Sequence, residues 1–249
     1  MTSWTKPSVA QFSMAHPAQR EFIESCLVRF AANVSSSANV LEVGSQDING
    51  SIRDYFPGAE SRRWVGLDVG EGKGVDFVIP GELVQLPDGW ADIAFSTECF
   101  EHAKLWREIF LNMIRTTHKN SLIILTFAGI GRAAHGTVDT DAGSSPYTND
   151  YYKNISLADF ESSFELDRYF CRYSLEVNVD NGDTYFWGLR TESFADAEWM
   201  SAEESLARAR GQLGMVIAAN RRLERQLRVA SPLLLFYKIF AGIYRALRR

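Results

Sequence analysis

Short apolar runs alternate with segments of helical periodicity along the chain. The runs, which have the length of buried strands, lie at residues 39–43, 64–68, 75–79, 92–96 and 121–127. The segments with helical spacing lie at residues 17–33, 52–56 and 102–116. Strands that alternate with helices predict an α/β fold built on a parallel sheet.

The chain changes character after the fifth apolar run. Residues 130–150 are rich in Gly, Ser, Thr and Asp, and a loop of this length is more typical of an active site than of a simple connector. Strand-like segments return at residues 169–179 and 184–189. We expect these two strands to complete the sheet.

The last fifty residues carry a different pattern. From Leu206, apolar residues fall at the first and fourth positions of a heptad, and Asn220 occupies one first position. A buried Asn at such a position fixes the register of parallel dimeric coiled coils. Residues 201–231 are therefore predicted to form a coiled coil that joins two copies of the chain through residues 206–230. An amphipathic helix packed on its own domain is the alternative.

Residues 232–249 form a second, basic segment. Their apolar run is interrupted by Lys238 and is shorter than the roughly 20 residues needed to span a bilayer. On a helix the apolar side chains share one face, with Lys and Arg outside it. This pattern indicates a helix that lies on an anionic membrane surface, and it also fits docking to a protein partner.

The distribution of charge also changes at about residue 200. The net charge is −5, but residues 1–200 carry a balance of −12 and residues 201–249 a balance of +7. An acidic body argues against a nucleic-acid-binding face, which needs clustered Lys and Arg. Three cysteines without a CxxC pair favour a reducing compartment over a disulfide scaffold or a zinc motif.

Candidate chemistry is concentrated where the first two predicted strands end. The first strand runs through Glu42 into Gly44, and the small residues that follow let backbone N–H groups approach a ligand. The second strand ends at Asp68, where a carboxylate can accept hydrogen bonds from both hydroxyls of a ribose. The dinucleotide fingerprint GxGxxG is absent, since Gly50 is the next glycine after Gly44.

Three motifs in order resemble those of the class I S-adenosylmethionine-dependent methyltransferases. They are Val-Leu-Glu-Val-Gly-Ser-Gln-Asp-Ile-Asn-Gly-Ser from residue 40, Trp-Val-Gly-Leu-Asp-Val-Gly-Glu-Gly from residue 64, and Asp-Ile-Ala-Phe-Ser-Thr-Glu-Cys-Phe-Glu-His from residue 92. The resemblance covers residues 15–190. It implies a Rossmann-like, doubly wound, mostly parallel seven-stranded sheet within a methyltransferase domain at residues 1–200.

The resemblance also implies a cofactor, S-adenosylmethionine, and the residues around it. Glu42 would lie near the amino group of the methionine moiety, Asp68 would hold the ribose, and Ser96 to Glu98 would lie beside the methyl donor. The full predicted set is Glu42, Gly44, Ser45, Gln46, Asn49, Gly50, Asp68, Val69, Asp76, Phe77, Ser96, Thr97 and Glu98.

Two positions depart from the family pattern. Gln46 stands where the family has a second glycine, so its side chain must turn away from the cofactor. The acidic residue that commonly meets the adenine amino group has no clear counterpart, and Asp76 or Glu82 could take its place.

Histidines are the candidates for the base that takes a proton from a hydroxyl acceptor. His102 follows the fourth strand, where the acceptor meets the methyl group; alternatively it orients the loop together with Glu101. His135, in the loop after the fifth strand, is a second base candidate or a substrate ligand. His16 and His118 are expected to be surface or packing residues.

The acceptor pocket is predicted from the same loops. Tyrosine rings can stack on sugars, and they are also ordinary packing for a lid. The predicted substrate-binding residues are Glu101, His135, Tyr147, Tyr151 and Tyr152. His135, Asp139 and Asp141 have a spacing that can hold a divalent cation, but it is common by chance and no metal is predicted.

The layout and the tail are similar to those of enzymes of bacterial surface-polysaccharide assembly. This likeness implies O-methylation of a sugar hydroxyl, on a glycan or its lipid-linked precursor, at the inner face of the plasma membrane. The alternatives are a small-molecule or lipid methyltransferase, a nicotinamide-dependent oxidoreductase, and a non-catalytic scaffold that recruits glycan-assembly enzymes.

Overall fold

The computed structural model describes residues 17–31, 38–54, 56 and 62–191. All of them belong to the first of the two units into which the chain divides, Met1–Asp196. Several predictions fall outside the described residues: the boundary at residue 200, the coiled coil of residues 201–231, the basic segment 232–249 and the surface role of His16.

The described residues form one sheet of seven strands. The strands are β1 (Asn39–Val43), β2 (Arg63–Asp68), β3 (Phe77–Val78), β4 (Ala91–Thr97), β5 (Thr117–Ala128), β6 (Phe170–Val177) and β7 (Asp183–Arg190). The α-helices are α1 (Pro17–Arg29), α2 (Trp106–Thr116), α3 (Leu157–Glu161) and α4 (Leu166–Tyr169). The spatial order of the strands is β3-β2-β1-β4-β5-β7-β6.

The sheet is mostly parallel, as the resemblance implied, with one antiparallel strand. Strands β1 to β5 pair in parallel, whereas β7 runs antiparallel to both β5 and β6. The turn of residues 178–182 explains the exception, because a connection this short can join only antiparallel neighbours. Gly182, at φ +78°, closes that turn.

The strand order reverses between β1 and β4. The chain proceeds from β1 to β2 and β3 on one side, and from β4 to β5 on the other. Val43 pairs with Ser96, so the carboxyl ends of these two strands lie side by side while the loops beyond them diverge. In open α/β sheets this switch point is where a ligand cleft forms.

Both faces of the sheet are covered, because alternate residues of the central strands point to opposite sides. On one face, Ile123 and Leu125 of β5 join a core that includes α2 and seven phenylalanines: Phe100, Phe110, Phe127, Phe160, Phe164, Phe170 and Phe186. On the other face, Leu122 and Ile124 pack with α1 and with Trp187. Phe186 and Trp187, neighbours on β7, are both buried, one in each of these two cores.

Several predicted boundaries differ from the structure. The segment 52–56 contains one 3-10 turn, Ile52–Asp54, because so few residues before a Pro-Gly pair cannot propagate a helix. The third strand shrinks to Phe77–Val78, a half-exposed edge strand. The helix expected from residue 102 starts at Trp106, since Phe100–His102 forms a separate 3-10 turn. The first helix ends at Arg29.

Among the described residues, no helix combines the length and the apolar composition that crossing a bilayer requires.

Phe110 tests the larger core directly. Its ring is fully buried, with ring centroids 4.8 Å from Phe164 and 5.1 Å from Phe160. Phe110→Ala is expected to lower the free energy of unfolding by about 3–5 kcal/mol, measured by urea denaturation, because it leaves a cavity. Val179→Ala, at a residue that is 90% exposed, is the control and should change it by less than about 0.5 kcal/mol. Equal effects of the two substitutions would contradict this description of the core.

Candidate functional site

A cleft of about 470 Å³ opens at the carboxyl ends of β1 and β4. Its volume lies within the range of small-molecule sites, about 300–1,000 Å³. The loops after β1, β2 and β4 form its walls, together with part of the long loop of residues 129–151. The cleft therefore occupies the switch point of the sheet.

Gly44 sets the distance between two of these walls. It has φ +76°, and a Cβ built on it would lie 2.6 Å from the Cβ of Cys99, in the loop after β4. The N–H groups of Gly44 and Ser45 both donate to the carbonyl of Leu67. A residue without a side chain is therefore required for the loop after β1 to pass so close to its neighbour.

Asp68, at the end of β2, connects two loops at the mouth of the cleft. Its Oδ2 accepts a hydrogen bond from the backbone N–H of Gln46 at 3.1 Å, and its Oδ1 accepts one from Gly70 at 3.1 Å. The carboxylate is thus held in a fixed orientation. The amide of Gln46 donates to the carbonyl of Glu71, so this side chain is directed to the loop after β2.

Glu42 is a buried carboxylate in the wall of the cleft. Its Oε2 accepts hydrogen bonds from the Trp64 indole at 2.7 Å and the Arg53 guanidinium at 3.2 Å. Burial nevertheless dominates and raises the pKa of Glu42 to about 7, while Trp64 and Arg53 oppose the shift. Glu42 can therefore gain or lose a proton near neutral pH.

The predicted cofactor residues divide into two groups. Those that line the cleft are Glu42, Gly44, Ser45, Gln46, Asn49, Gly50, Asp68, Val69, Thr97 and Glu98. Three others do not line it: Asp76, Phe77 and Ser96.

The contacts and burial of these three residues explain why they do not line the cleft. The Oδ2 of Asp76 accepts from the N–H of Gly66 at 2.7 Å and from Arg53 at 3.1 Å, so this side chain supports the loop after β2. Phe77 is on the exposed edge strand, and Ser96 is buried beneath the cleft. Glu82, the other candidate for the adenine contact, does line the cleft, and burial raises its pKa.

Glu98 lines the cleft in a strained backbone conformation, with φ +50°. The amide of Gln19 lies 2.6 Å from the Thr126 hydroxyl and 3.4 Å from Glu98 Oε1, whereas Oε2 is buried without a hydrogen bond. Burial, together with the negative charges of Glu101 and Asp183, raises the pKa of Glu98 well above its usual range.

His102 and His135 meet above Glu101, although they are far apart in the sequence. Glu101 is fully buried in the turn after β4, and its Oε1 lies 3.6 Å from His135 Nε2. The ring centroids of the two histidines are 5.1 Å apart, and the ring of Tyr152 lies 5.3 and 5.0 Å from them. The structure thus brings both base candidates into one cluster.

The two imidazoles experience different environments. Burial lowers the pKa of His102, although the Glu101 carboxylate acts in the opposite direction. The neighbouring Glu101 carboxylate raises the pKa of His135. Burial raises the pKa of the Tyr152 phenol, whose hydroxyl donates to the carbonyl of Ala133.

The predicted acceptor residues are only partly exposed to the cleft. His135, Tyr147 and Tyr151 line it, whereas Glu101 lies below the surface and Tyr152 packs behind the histidines. The Tyr147 ring covers Gly70, since a Cβ there would lie 1.9 Å from it. The 129–151 loop therefore reaches across to the end of β2.

The three residues whose spacing could hold a cation, His135, Asp139 and Asp141, are not brought together in one ligand cluster among the described residues. Asp139 and Asp141 are exposed, and the Oδ1 of Asp141 accepts from the N–H of Gly143 within its own turn. His118 is remote from the cleft, with its Nε2 3.0 Å from Asp92 Oδ1, as expected for a surface or packing residue.

Sequence reasoning missed several lining residues. They include Gln19, Cys99, Arg132, Ser145 and Asp183. Gln19 comes from α1, and Asp183 from the start of β7, where its carboxylate lies 3.4 Å from the Arg132 guanidinium. The local sequence of Asp183 carries no signal, because the pairing of β5 with β7 brings this residue to the cleft.

Comparison with known proteins reveals a fold likeness. No protein-family model and no curated protein matches the sequence. Haemonchus contortus phosphoethanolamine N-methyltransferase 2, solved with S-adenosylhomocysteine, has a TM-score of 0.51 and 14% identity over 72% of this chain and 54% of that chain. The CurJ carbon methyltransferase has a TM-score of 0.51 and 9% identity, over 70% of this chain and 54% of that chain.

The matched region therefore spans about half the length of each of these proteins. At such identities the likeness shows the fold alone. The described residues have the Rossmann-like methyltransferase fold, with a mixed sheet of seven strands.

The pKa of Glu42 makes stability depend on pH. An unfolded glutamate has a pKa of about 4.3, so the folded state binds an extra proton between that value and about 7. The stability this contributes is present at low pH and lost as the pH rises through 7. Between pH 5 and 8 the wild type should lose about 2–3 kcal/mol relative to Glu42→Gln, measured by urea denaturation.

Glu21→Gln on the exposed side of α1 is the matched control, and its difference from the wild type should not change with pH. A pH-independent difference for Glu42→Gln would show that the folded state leaves this carboxyl at its ordinary pKa.

Proposed function

We propose that the chain is an S-adenosylmethionine-dependent O-methyltransferase. The observation that carries the proposal is the position of Asp68 at the switch point of a methyltransferase-type sheet, with its carboxylate fixed between the loops after β1 and β2. A carboxylate at this place accepts hydrogen bonds from ribose hydroxyls. The neighbouring Gly44 brings bare backbone to the same wall.

The charges of the cleft support this cofactor. S-adenosylmethionine carries a positive sulfonium and a positive amino group. Glu42 and Glu98 present carboxylates on the side of the cleft where the loops after β1 and β4 meet. A cation in this region offsets the cost of burying acidic groups. Glu82 is the acidic residue of the lining that we assign to the adenine end.

Methyl transfer is an in-line displacement, so the protein must chiefly align the reactants and exclude water. Thr97 and Glu98 would lie beside the sulfonium at the end of β4. The 129–151 loop, with Tyr147 on Gly70, would cover the cofactor and leave the acceptor to enter on the His102 side. As the acceptor oxygen attacks the methyl carbon, the S–CH₃ bond breaks and the sulfonium becomes a thioether.

The acceptor that we propose is a sugar hydroxyl of a bacterial surface glycan or its lipid-linked precursor. Tyr151 supports this choice because it presents an aromatic side chain to the cleft, and aromatic faces suit sugar rings. The basic sequence of residues 232–249 supports a location at an anionic membrane surface, where lipid-linked substrates are concentrated. The imidazole of His102 would take the hydroxyl proton.

Asp68→Ala tests the cofactor site. The variant should bind S-adenosylhomocysteine at least tenfold more weakly, because hydrogen bonds to a charged group are worth about 1.5–3 kcal/mol. The measurement is isothermal titration calorimetry, and Asp167→Ala, an exposed aspartate on α4, is the control. Unchanged affinity in folded Asp68→Ala would remove the ribose assignment and with it the proposed function.

His102→Ala tests the acceptor side. Transfer of labelled methyl groups to a glycan or sugar acceptor should fall by about 10²–10⁴, while the affinity for S-adenosylhomocysteine stays within twofold. His118→Ala, at a histidine remote from the cleft, should keep full turnover. Full turnover in His102→Ala would show that the proton leaves by another route.

A further inference from the structure

We propose that Glu101, His102 and His135 form a binding site for a divalent first-row transition-metal ion, open to the acceptor side of the cleft. One ligand atom from each residue lies within 4.8 Å of the other two. Bonds of about 2.1 Å place ligand atoms about 3–4 Å apart around such an ion. We expect the half-buried His135 side chain to rotate toward that spacing when the ion binds.

The environment of the Glu101 carboxylate is the first observation that indicates a ligand. The residue is fully buried, and neither of its carboxylate oxygens has a hydrogen-bond partner. Burying a carboxylate without donors is costly, and buried polar groups in proteins are normally satisfied. The carboxylate instead faces His135 Nε2 at 3.6 Å, beyond hydrogen-bond distance. A bound cation would satisfy both oxygens at this position.

The orientation of the two imidazoles is an independent observation. His135 Nδ1 lies 3.2 Å from the carbonyl oxygen of Ala133, and His102 Nδ1 lies 3.4 Å from that of Tyr151. A carbonyl can only accept, so each Nδ1 donates its N–H and Nε2 is the ring nitrogen left for a metal. Ser145 Oγ lies 2.9 Å from His102 Nε2 and would be displaced by the ion. Metal-binding histidines typically donate their other ring N–H to a backbone carbonyl in this way.

The charges around the cluster also favour a cation. Glu98 has a buried oxygen without a hydrogen bond, and its charge and that of Asp183 act on the same region. Arg132 lies 3.4 Å from the Asp183 carboxylate, and its positive charge also acts on His135 and Glu98. A dication beside Glu101 would reduce the mutual repulsion of these carboxylates.

The ligand types select the kind of metal. Two imidazoles and one carboxylate suit Zn²⁺, Mn²⁺, Fe²⁺ or Co²⁺, whereas Mg²⁺ and Ca²⁺ prefer oxygen ligands alone. Three protein ligands leave further positions open. Because His102 and His135 both line the cleft, an open position would face the acceptor.

The role of the ion rests on the proposed function. The acceptor hydroxyl would bind at the open position, where the positive charge lowers its pKa and its proton leaves to water. The O–CH₃ bond then forms as the S–CH₃ bond of the cofactor breaks, giving a methyl ether and a neutral thioether. In the metal-loaded protein His102 would be a ligand and would not take the proton itself, so activation of the hydroxyl by the ion would replace the base role given to His102 above.

Metal binding can be tested without cofactor or acceptor. The full-length chain, stripped with chelator, would be titrated with Zn²⁺ and Mn²⁺ alone in a calorimeter, and its Co²⁺ complex recorded by visible spectroscopy. We expect one equivalent of tight binding and Co²⁺ bands that indicate nitrogen and oxygen ligands. Glu101→Gln and His135→Gln should each weaken binding at least tenfold, and His135→Gln changes only a half-buried side chain.

His118→Gln is the matched control, because this histidine also faces a carboxylate, Asp92, but outside the cluster. It should bind the ion like the wild type. No binding by the wild type, or equal binding by all variants, would overturn the site and leave Glu101 and His135 as an ion pair. Titration of the same samples with S-adenosylhomocysteine tests the proposed function separately, since the two ligands are measured independently.

Discussion

The close contact between the loops after β1 and β4 is the constraint on which the site depends. The two strands are parallel neighbours, but the loop after β1 leads to β2 on one side and the loop after β4 leads to β5 on the other. The two loops therefore diverge from a point of close contact. Gly44 permits this, because its positive φ and missing side chain let the backbone pass against Cys99. Asp68 then joins the loop after β1 to the end of β2 through two backbone hydrogen bonds. The cleft is therefore held open by backbone geometry.

The second organising feature is the accumulation of negative charge beside that contact. Glu42, Glu98 and Glu101 come from two adjacent strand ends, and burial raises the pKa of the first two. Such an arrangement costs stability in the empty protein, and functional sites commonly carry costs of this kind. Both proposed ligands, a sulfonium cofactor and a divalent ion, are cations. A single electrostatic property would thus serve cofactor binding on one side and acceptor activation on the other.

The periodicity of apolar residues was sufficient to predict the strands of the sheet, but it was insufficient to predict the turns between them. The apolar runs of β1, β2, β4 and β5 predicted buried strands because both sheet faces are covered. The run at residues 75–79 also predicted a strand, but at the exposed edge of the sheet only Phe77–Val78 pairs. The spacing of the first strand, its loop and the following acid predicted that Asp68 ends a strand beside a ligand site. The order of the motifs predicted that this site lies at the carboxyl ends of the strands, where the cleft is found. Asp76, predicted as a cofactor contact, lies outside the cleft lining, and its hydrogen bond to Gly66 depends on how the loop folds. The burial of Glu101 and the arrival of Asp183 depend on contacts between segments distant in sequence.

The central claim is that the cleft binds S-adenosylmethionine. It is tested most directly by calorimetric titration of the purified wild-type chain with S-adenosylhomocysteine, with NAD as the comparison ligand. The account predicts saturable, one-to-one binding of S-adenosylhomocysteine, with a dissociation constant in the micromolar range, and no binding of NAD. Binding of NAD alone would point to oxidoreductase chemistry at the same strand ends. A folded protein that binds neither ligand would contradict the cofactor assignment and favour a non-catalytic role for this fold.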